Sequence, residues 1–206
     1  MEPTSIKSYL EELSTTADRI LLLQGPIGTF FSDFADWLHQ QCGKTVFKLN
    51  FNAGDELCFP ATKPNTFAYT DTFQAFPDFL SAFIREHRIE AVVCFGDTRP
   101  YHIAAKSVVH ALGNVSFWAF EEGYFRPYFV TLEKSGVNAY SPLPRDARFF
   151  AYAYPRLSRQ SYQDPAPVPA GFLPVAKQAI RYYVAARLHQ RRYPHYIHHR
   201  INHIGH

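Results

Sequence analysis

Two adjacent carboxylates, a glycine and an arginine stand within one short stretch, Glu121-Glu122-Gly123-Tyr124-Phe125-Arg126-Pro127. Paired carboxylates suit acid–base work, or a nucleophile with a neighbour that tunes it. A guanidinium close by offers a planar fork for phosphate or carboxylate oxygens. A second group, Gly96-Asp97-Thr98-Arg99-Pro100, repeats the glycine, acid and arginine, and a third, Gln24-Gly25-Pro26-Ile27-Gly28, contributes two more glycines. Without a Cβ, such glycines let a ligand approach the backbone closely. The chemistry these residues suit is the handling of an anionic small ligand.

Each group follows an apolar run that reads as a buried strand. Arg19-Ile20-Leu21-Leu22-Leu23 precedes the loop at 24–28, Glu90-Ala91-Val92-Val93-Cys94-Phe95 precedes 96–100, and Val115-Ser116-Phe117-Trp118-Ala119-Phe120 precedes the Glu-Glu-Gly turn. Thr45-Val46-Phe47-Lys48-Leu49-Asn50 is a further strand, with Asn52-Ala53-Gly54-Asp55 as the loop at its end. Residues 1–16 read as a leader helix, 29–42 and 101–112 as helices closed by Gly43 and Gly113, and 73–87 as another helix; 56–72 are irregular. Alternating strands and helices predict a Rossmann-like, doubly wound parallel sheet, since parallel neighbours need helical crossovers. The four loops at 24–28, 50–55, 96–100 and 121–127 then fall at strand carboxyl ends and should line one crevice.

Several alternatives lose support. There is no Gly-x-Gly-x-x-Gly dinucleotide fingerprint and no phosphate loop, and Ser32, Ser107 and Ser116 lack a nucleophile-elbow context. Cys42, Cys58 and Cys94 show no metal spacing, and nothing near His199 and His203, four apart, completes a metal site. No metal is therefore expected. In 206 residues, 47% of them hydrophobic, a packed core is ample. No secretory signal and no membrane span of roughly 20 apolar residues is evident, so a cytosolic protein is expected.

The net charge of +3 is unevenly placed. After Asp164 there is no acidic residue, while Lys177, Arg181, Arg187, Arg191, Arg192 and Arg200 follow. Such an end suits an anionic lipid surface or another subunit; nucleic acid is disfavoured because the aromatic residues sit mostly in apolar runs. A short helix is expected over 146–154, a proline-bearing connector over 155–170 and a helix over 176–190. This divides the chain into a Rossmann-like domain, 1–154, and a connector with a basic helical tail, 155–206.

With these residues together, the chain resembles the KpsS/LipB-type capsule polysaccharide proteins over most of its length. The likeness rests on Leu23-Gln24-Gly25-Pro26, on Phe95-Gly96-Asp97-Thr98-Arg99-Pro100-Tyr101-His102, and above all on Glu121 to Pro127 with Val130-Thr131-Leu132-Glu133 behind it. The tail with Arg191-Arg192-Tyr193-Pro194-His195 is similar too. The resemblance implies a retaining β-Kdo transferase that moves Kdo from CMP-Kdo to a phosphatidylglycerol-type lipid, without a cofactor, beside other capsule assembly proteins. It implies a cytoplasmic protein, peripheral at the inner face of the inner membrane. Glu122 is carried over as the catalytic carboxylate, its role as nucleophile, base or stabiliser open, with Glu121 as its neighbour. Gln24, Gly25, Pro26, Gly28, Gly96, Asp97, Arg99, Gly123, Tyr124 and Arg126 are the expected substrate contacts. Family members resemble two-domain GT-B glycosyltransferases. The chain corresponds to the N-terminal half of that plan, with 155–206 leading towards a second domain, and its activity alone is in question. The alternative is a non-catalytic partner of the capsule assembly complex.

Overall fold

The computed structural model describes residues 8–123, 129–157 and 172–198. The first strand, β1 (Arg19–Leu22), lies in the middle of a six-stranded sheet. It pairs in parallel with β2 (Thr45–Asn50) on one side and β4 (Ala91–Phe95) on the other. β3 (Thr66–Ala68) extends the sheet beyond β2, and β5 (Ser116–Glu122) and β6 (Val130–Lys134) extend it beyond β4, giving the order β3-β2-β1-β4-β5-β6. All pairings are parallel except β5 with β6. This is the strand order of dinucleotide-binding Rossmann sheets, so the expected α/β class is the observed one.

The strands are apolar on both faces because helices cover both. α1 (Tyr9–Thr16) and α2 (Phe30–Cys42) pack over Ile20, Leu22, Val93, Trp118 and Phe120. α4 (Phe76–Glu86) and α5 (Pro100–Leu112) cover Leu21, Leu49, Val92, Cys94 and Ala119. Residues 1–7 of the expected leader helix lie outside the described residues, and Ser8 caps α1 by accepting from the Glu11 amide at 3.2 Å. It is pinned by fully buried Leu13 and by Tyr9, whose ring meets Trp118 edge-on at 5.9 Å; burying such a leucine is worth about 1.5–3 kcal/mol. Gly43 and Gly113 end α2 and α5 in the left-handed conformation, with φ of 67° and 73°.

Two expectations are corrected. The Glu pair does not lie in a turn: β5 runs through Glu122, because β6 pairs antiparallel with it, Glu121 opposite Thr131 and Glu122 opposite Val130. The stretch from Asn52 is not a loop either. Asn52 accepts from the Asp55 amide at 3.0 Å and starts the short helix α3 (Ala53–Cys58), and the irregular segment after it contains β3.

After β6 come α6 (Ala147–Leu157), which runs through Pro155, the first residue of the expected connector, and α7 (Phe172–Leu188). α7 packs on α3. Gly54 makes this possible, since a Cβ there would stand 2.7 Å from the Tyr182 ring.

Candidate functional site

β1 leads to α2 on one face of the sheet and β4 to α5 on the other, so their carboxyl ends part and leave a crevice at the point where the strand order reverses. Ladder bonds carry the loop after β4 beside the end of β5: the Gly96 amide donates to the Phe120 carbonyl at 2.8 Å. Gly96 has φ of 72°, which only glycine adopts freely. A Cβ there would lie 3.9 Å from a Glu121 oxygen and 4.0 Å from the Arg99 Nε. Gly25 closes the other side, its carbonyl accepting from Arg99 Nη1 at 3.2 Å. The resulting cleft, about 520 Å³, is lined on this side by Gly25, Pro26, Gly96, Arg99, Glu121 and Glu122, a size that suits a small organic ligand.

The two carboxylates are held differently. Glu121 accepts from the Glu122 amide at 2.9 Å and from the Asn138 amide nitrogen at 3.2 Å. Glu122 lies at the exposed end of the strand and faces the same cleft. α2 and α5, which begin at Phe30 and Pro100 after the two loops, have no side-chain cap. Unfilled helix N-termini carry partial positive charge and favour anions, as does the Arg99 guanidinium.

The other predicted contacts lie elsewhere. Asp97 is buried, and its carboxylate accepts from the Val137 amide at 3.0 Å, fixing the turn after β6. Gly123 is buried where a Cβ would collide with the Phe129 carbonyl. Gly28 lies at the rim, its amide donating to Cys58 Sγ at 3.2 Å. Tyr124, Arg126, His199 and His203 lie outside the described residues. The loop at 50–55 does not line the cleft, because α7 covers it.

Gln24 sits beneath the cleft in a buried network that sequence reasoning missed. Its Nε2, with two protons to donate, lies 3.0 Å from the Asp55 carboxylate, 3.1 Å from the Tyr182 hydroxyl and 3.0 Å from the Tyr196 hydroxyl. Tyr182 donates to Asp55 at 2.8 Å and accepts from Asn52 at 3.0 Å. Burial, then the Asp55 charge, pushes the Tyr182 phenol far above its ordinary range, so it stays a donor. Lys48, 2% exposed, also points into this region and donates to the Leu49 carbonyl. Burial lowers its pKa to about 8, against the opposing pull of Asp55. One signal for the network was present: Asn52 and Asp55 are spaced as N-cap and third helical residue.

A wider depression of about 800 Å³ opens at the opposite end of the sheet, beside Gly113 and Ser116. It holds none of the motif residues. Among the described residues no group of three or more His, Cys, Asp or Glu could hold a metal ion, and no helix is long and apolar enough to cross a membrane.

A family model for "Capsule polysaccharide biosynthesis protein" matches residues 90–206. The chain is 55% identical over 206 residues to the capsule polysaccharide modification protein LipB of Neisseria meningitidis serogroup B, covering 100% of this chain and 49% of that protein. LipB of serogroup A gives the same figures. The capsule polysaccharide export protein KpsS of Escherichia coli is 39% identical over 186 residues, 88% of this chain and 45% of that protein. The chain thus spans about half the length of the curated relatives it matches. Among solved structures, leucoanthocyanidin reductase from Vitis vinifera with NADPH superposes at a TM-score of 0.30 with 17% identity over 47% of this chain and 31% of that one, too loosely to carry an argument.

Proposed function

The chain belongs to the capsule polysaccharide biosynthesis protein family, and from this premise we propose that its cleft serves transfer of a β-Kdo residue from CMP-Kdo to a phosphatidylglycerol-type lipid. The observation that carries the reading is the convergence of Glu121, Glu122 and Arg99 between two glycine-bearing loops at the switch point of the sheet. In the transfer, the bond from the anomeric carbon of Kdo to the phosphate oxygen of CMP breaks, and CMP leaves with the electron pair. A bond forms from that carbon to a glycerol hydroxyl, which gives up its proton. The intervening centre resembles an oxocarbenium ion, and a carboxylate beside it can stabilise it, trap it or take the proton. Glu122 is the residue proposed for this, with Glu121 as its neighbour. Arg99 and the helix N-termini hold phosphate or carboxylate oxygens. The reaction calls for no cofactor, and the protein acts with other capsule assembly proteins at the cytoplasmic face of the inner membrane. In this proposal the described domain is the N-terminal half of a GT-B plan.

The test is a mass-spectrometric assay of the purified chain with CMP-Kdo generated in situ and a lysophosphatidylglycerol acceptor. A product heavier by one Kdo unit is expected, with Glu122→Gln lowering its rate about 10²–10⁴-fold. Near-normal turnover by Glu122→Gln removes that residue from the mechanism. No product from folded wild type shows that this chain alone does not suffice.

A second reading, a non-catalytic partner on anionic lipid, has its own observation. Leu173, Ile180 and Leu188 on α7 are 77%, 62% and 73% exposed, beside exposed Lys177, Arg181, Arg187 and Arg191. An apolar stripe flanked by cations suits a lipid surface.

A further inference from the structure

Among the described residues that line the cleft, Arg99 is the one guanidinium or ammonium, and it shares the cleft with two carboxylates. α7 supplies the opposite wall and adds only uncharged side chains, Gln178 and Tyr182 among them. A Cβ on Gly96 would lie 3.9 Å from Glu121 Oε2 and 4.0 Å from Arg99 Nε, so opposite charges stand around one glycine. Yet they do not pair. Arg99 Nη1 donates to the Gly25 carbonyl at 3.2 Å. Glu121 Oε2 accepts from Asn138 Nδ2 at 3.2 Å, and its Oε1 from the Glu122 amide at 2.9 Å. A charge-assisted arginine–carboxylate pair is stronger than any of these contacts, so a restraint holds the two groups apart.

That restraint is built into the turn after β6. Ser135 and Asn138 have φ of 71° and 54°, in the left-handed region that asparagine enters more readily than most residues. Val137 between them is 1% exposed, and its amide donates to the buried Asp97 carboxylate at 3.0 Å. A Cβ on Gly136 would stand 2.9 Å from both Asp97 Oδ2 and the Tyr140 carbonyl oxygen, so glycine lets the turn come this close. The turn is thus strapped to the loop at 96–100, the same loop that carries Arg99.

We propose that Asn138 is a positioning residue: it holds the Glu121 carboxylate off Arg99 and so keeps the guanidinium open to a phosphate group of the ligand. An uncharged donor suits this task, because it restrains the carboxylate without neutralising it. Released, Glu121 would swing to Arg99 and occupy the fork that the phosphate needs. This rests on the reading above of Arg99 as a holder of phosphate oxygens, and adds the residue that keeps it available.

The test is a titration of the full chain with inorganic phosphate, followed through the Arg99 Nε–Hε signal in nitrogen-15 NMR spectra. Asn138→Gly keeps the left-handed backbone and removes only the amide. It is expected to weaken phosphate binding at least about fivefold. In a Glu121→Gln background the same substitution should change binding by less than about twofold, since no charge remains to swing. Equal weakening in both backgrounds overturns the proposal, because the loss then comes from the turn itself, and so does no weakening in either. A wild-type signal that phosphate does not move overturns the reading of Arg99 and this proposal with it, while the part given to Glu122 is judged separately by the transfer assay.

Discussion

At the scale of single residues, the two neighbouring carboxylates differ in place, Glu121 over the cleft floor and Glu122 at the strand end. Both Glu121 oxygens are engaged, by the Glu122 amide and by Asn138. A glutamine there keeps one acceptor, so Glu121→Gln should lower transfer less than Glu122→Gln; equal losses in the same assay would refute the distinction. Lys48 yields a prediction about pH. Its pKa falls from 10.5 to about 8 through burial, so across that window the unfolded chain holds a proton that the folded chain has shed. Its contribution to stability therefore rises with pH between about 8 and 10.5, by on the order of 3 kcal/mol. Cys58 and Cys94, pushed up by burial, work in the opposite direction above pH 9, and the raised tyrosines do so above pH 10. The comparison that isolates Lys48 is urea unfolding of wild type and Lys48→Met at several pH values. The advantage of Lys48→Met should shrink steadily from pH 8 to 10. An advantage that does not change with pH would contradict the account.

At the scale of elements, α7 depends on one small residue and one hydroxyl. Gly54→Ala drives a methyl group to 2.7 Å from the Tyr182 ring, whose position is fixed by three polar neighbours. Overpacking of this kind costs about 1–3 kcal/mol. Tyr182→Phe leaves Asp55, Gln24 and Asn52 short of a buried partner, also at about 1–3 kcal/mol. Both variants should release α7 before the sheet unfolds, visible as faster amide exchange over 172–188 than over β1 or β4; unchanged exchange there would contradict the role given to Tyr182. What could be read from sequence also divides by element. The buried strands and the amphipathic helices declare themselves through local periodicity, and so did the two glycine loops. β6 did not, because Val130 to Lys134 becomes a strand only through the partner that β5 supplies. The packing of α7 was equally hidden. Tyr182 and Asp55 are 127 residues apart, and nothing local to either announces the other. The site was legible where a motif sits on its own strand end, as with Gly96, Arg99 and Glu121. It was not legible for Asp97, whose acid type suggests chemistry but whose carboxylate holds the turn at Val137.

At the scale of the whole molecule, the far segment completes what the sheet begins. Besides Tyr182, the turn after α7 is tied down by Arg192, which grips Glu56 at 2.8 and 2.9 Å, and by Tyr193, which donates to the same carboxylate at 2.6 Å. A chain ending at residue 157 should therefore unfold at lower temperature and less cooperatively, because Asp55 and Gln24 lose their cover; an unchanged Tm would show that this cover adds nothing. Vesicle co-sedimentation is the matching test of the lipid surface. Binding to phosphatidylglycerol vesicles should weaken with salt and on replacing Lys177, Arg181, Arg187 and Arg191 by serine, and insensitivity to both would remove the electrostatic reading. The network around Gln24 also sets an order of events at the ribosome. Gln24 emerges early, yet its partner Tyr196 follows 172 residues later. β1 itself gains its second neighbour only once β4 has been made. A nascent chain can thus lay down its sheet while the polar floor of the cleft is still wet, and the cleft is closed over only once residues 172–196 have followed.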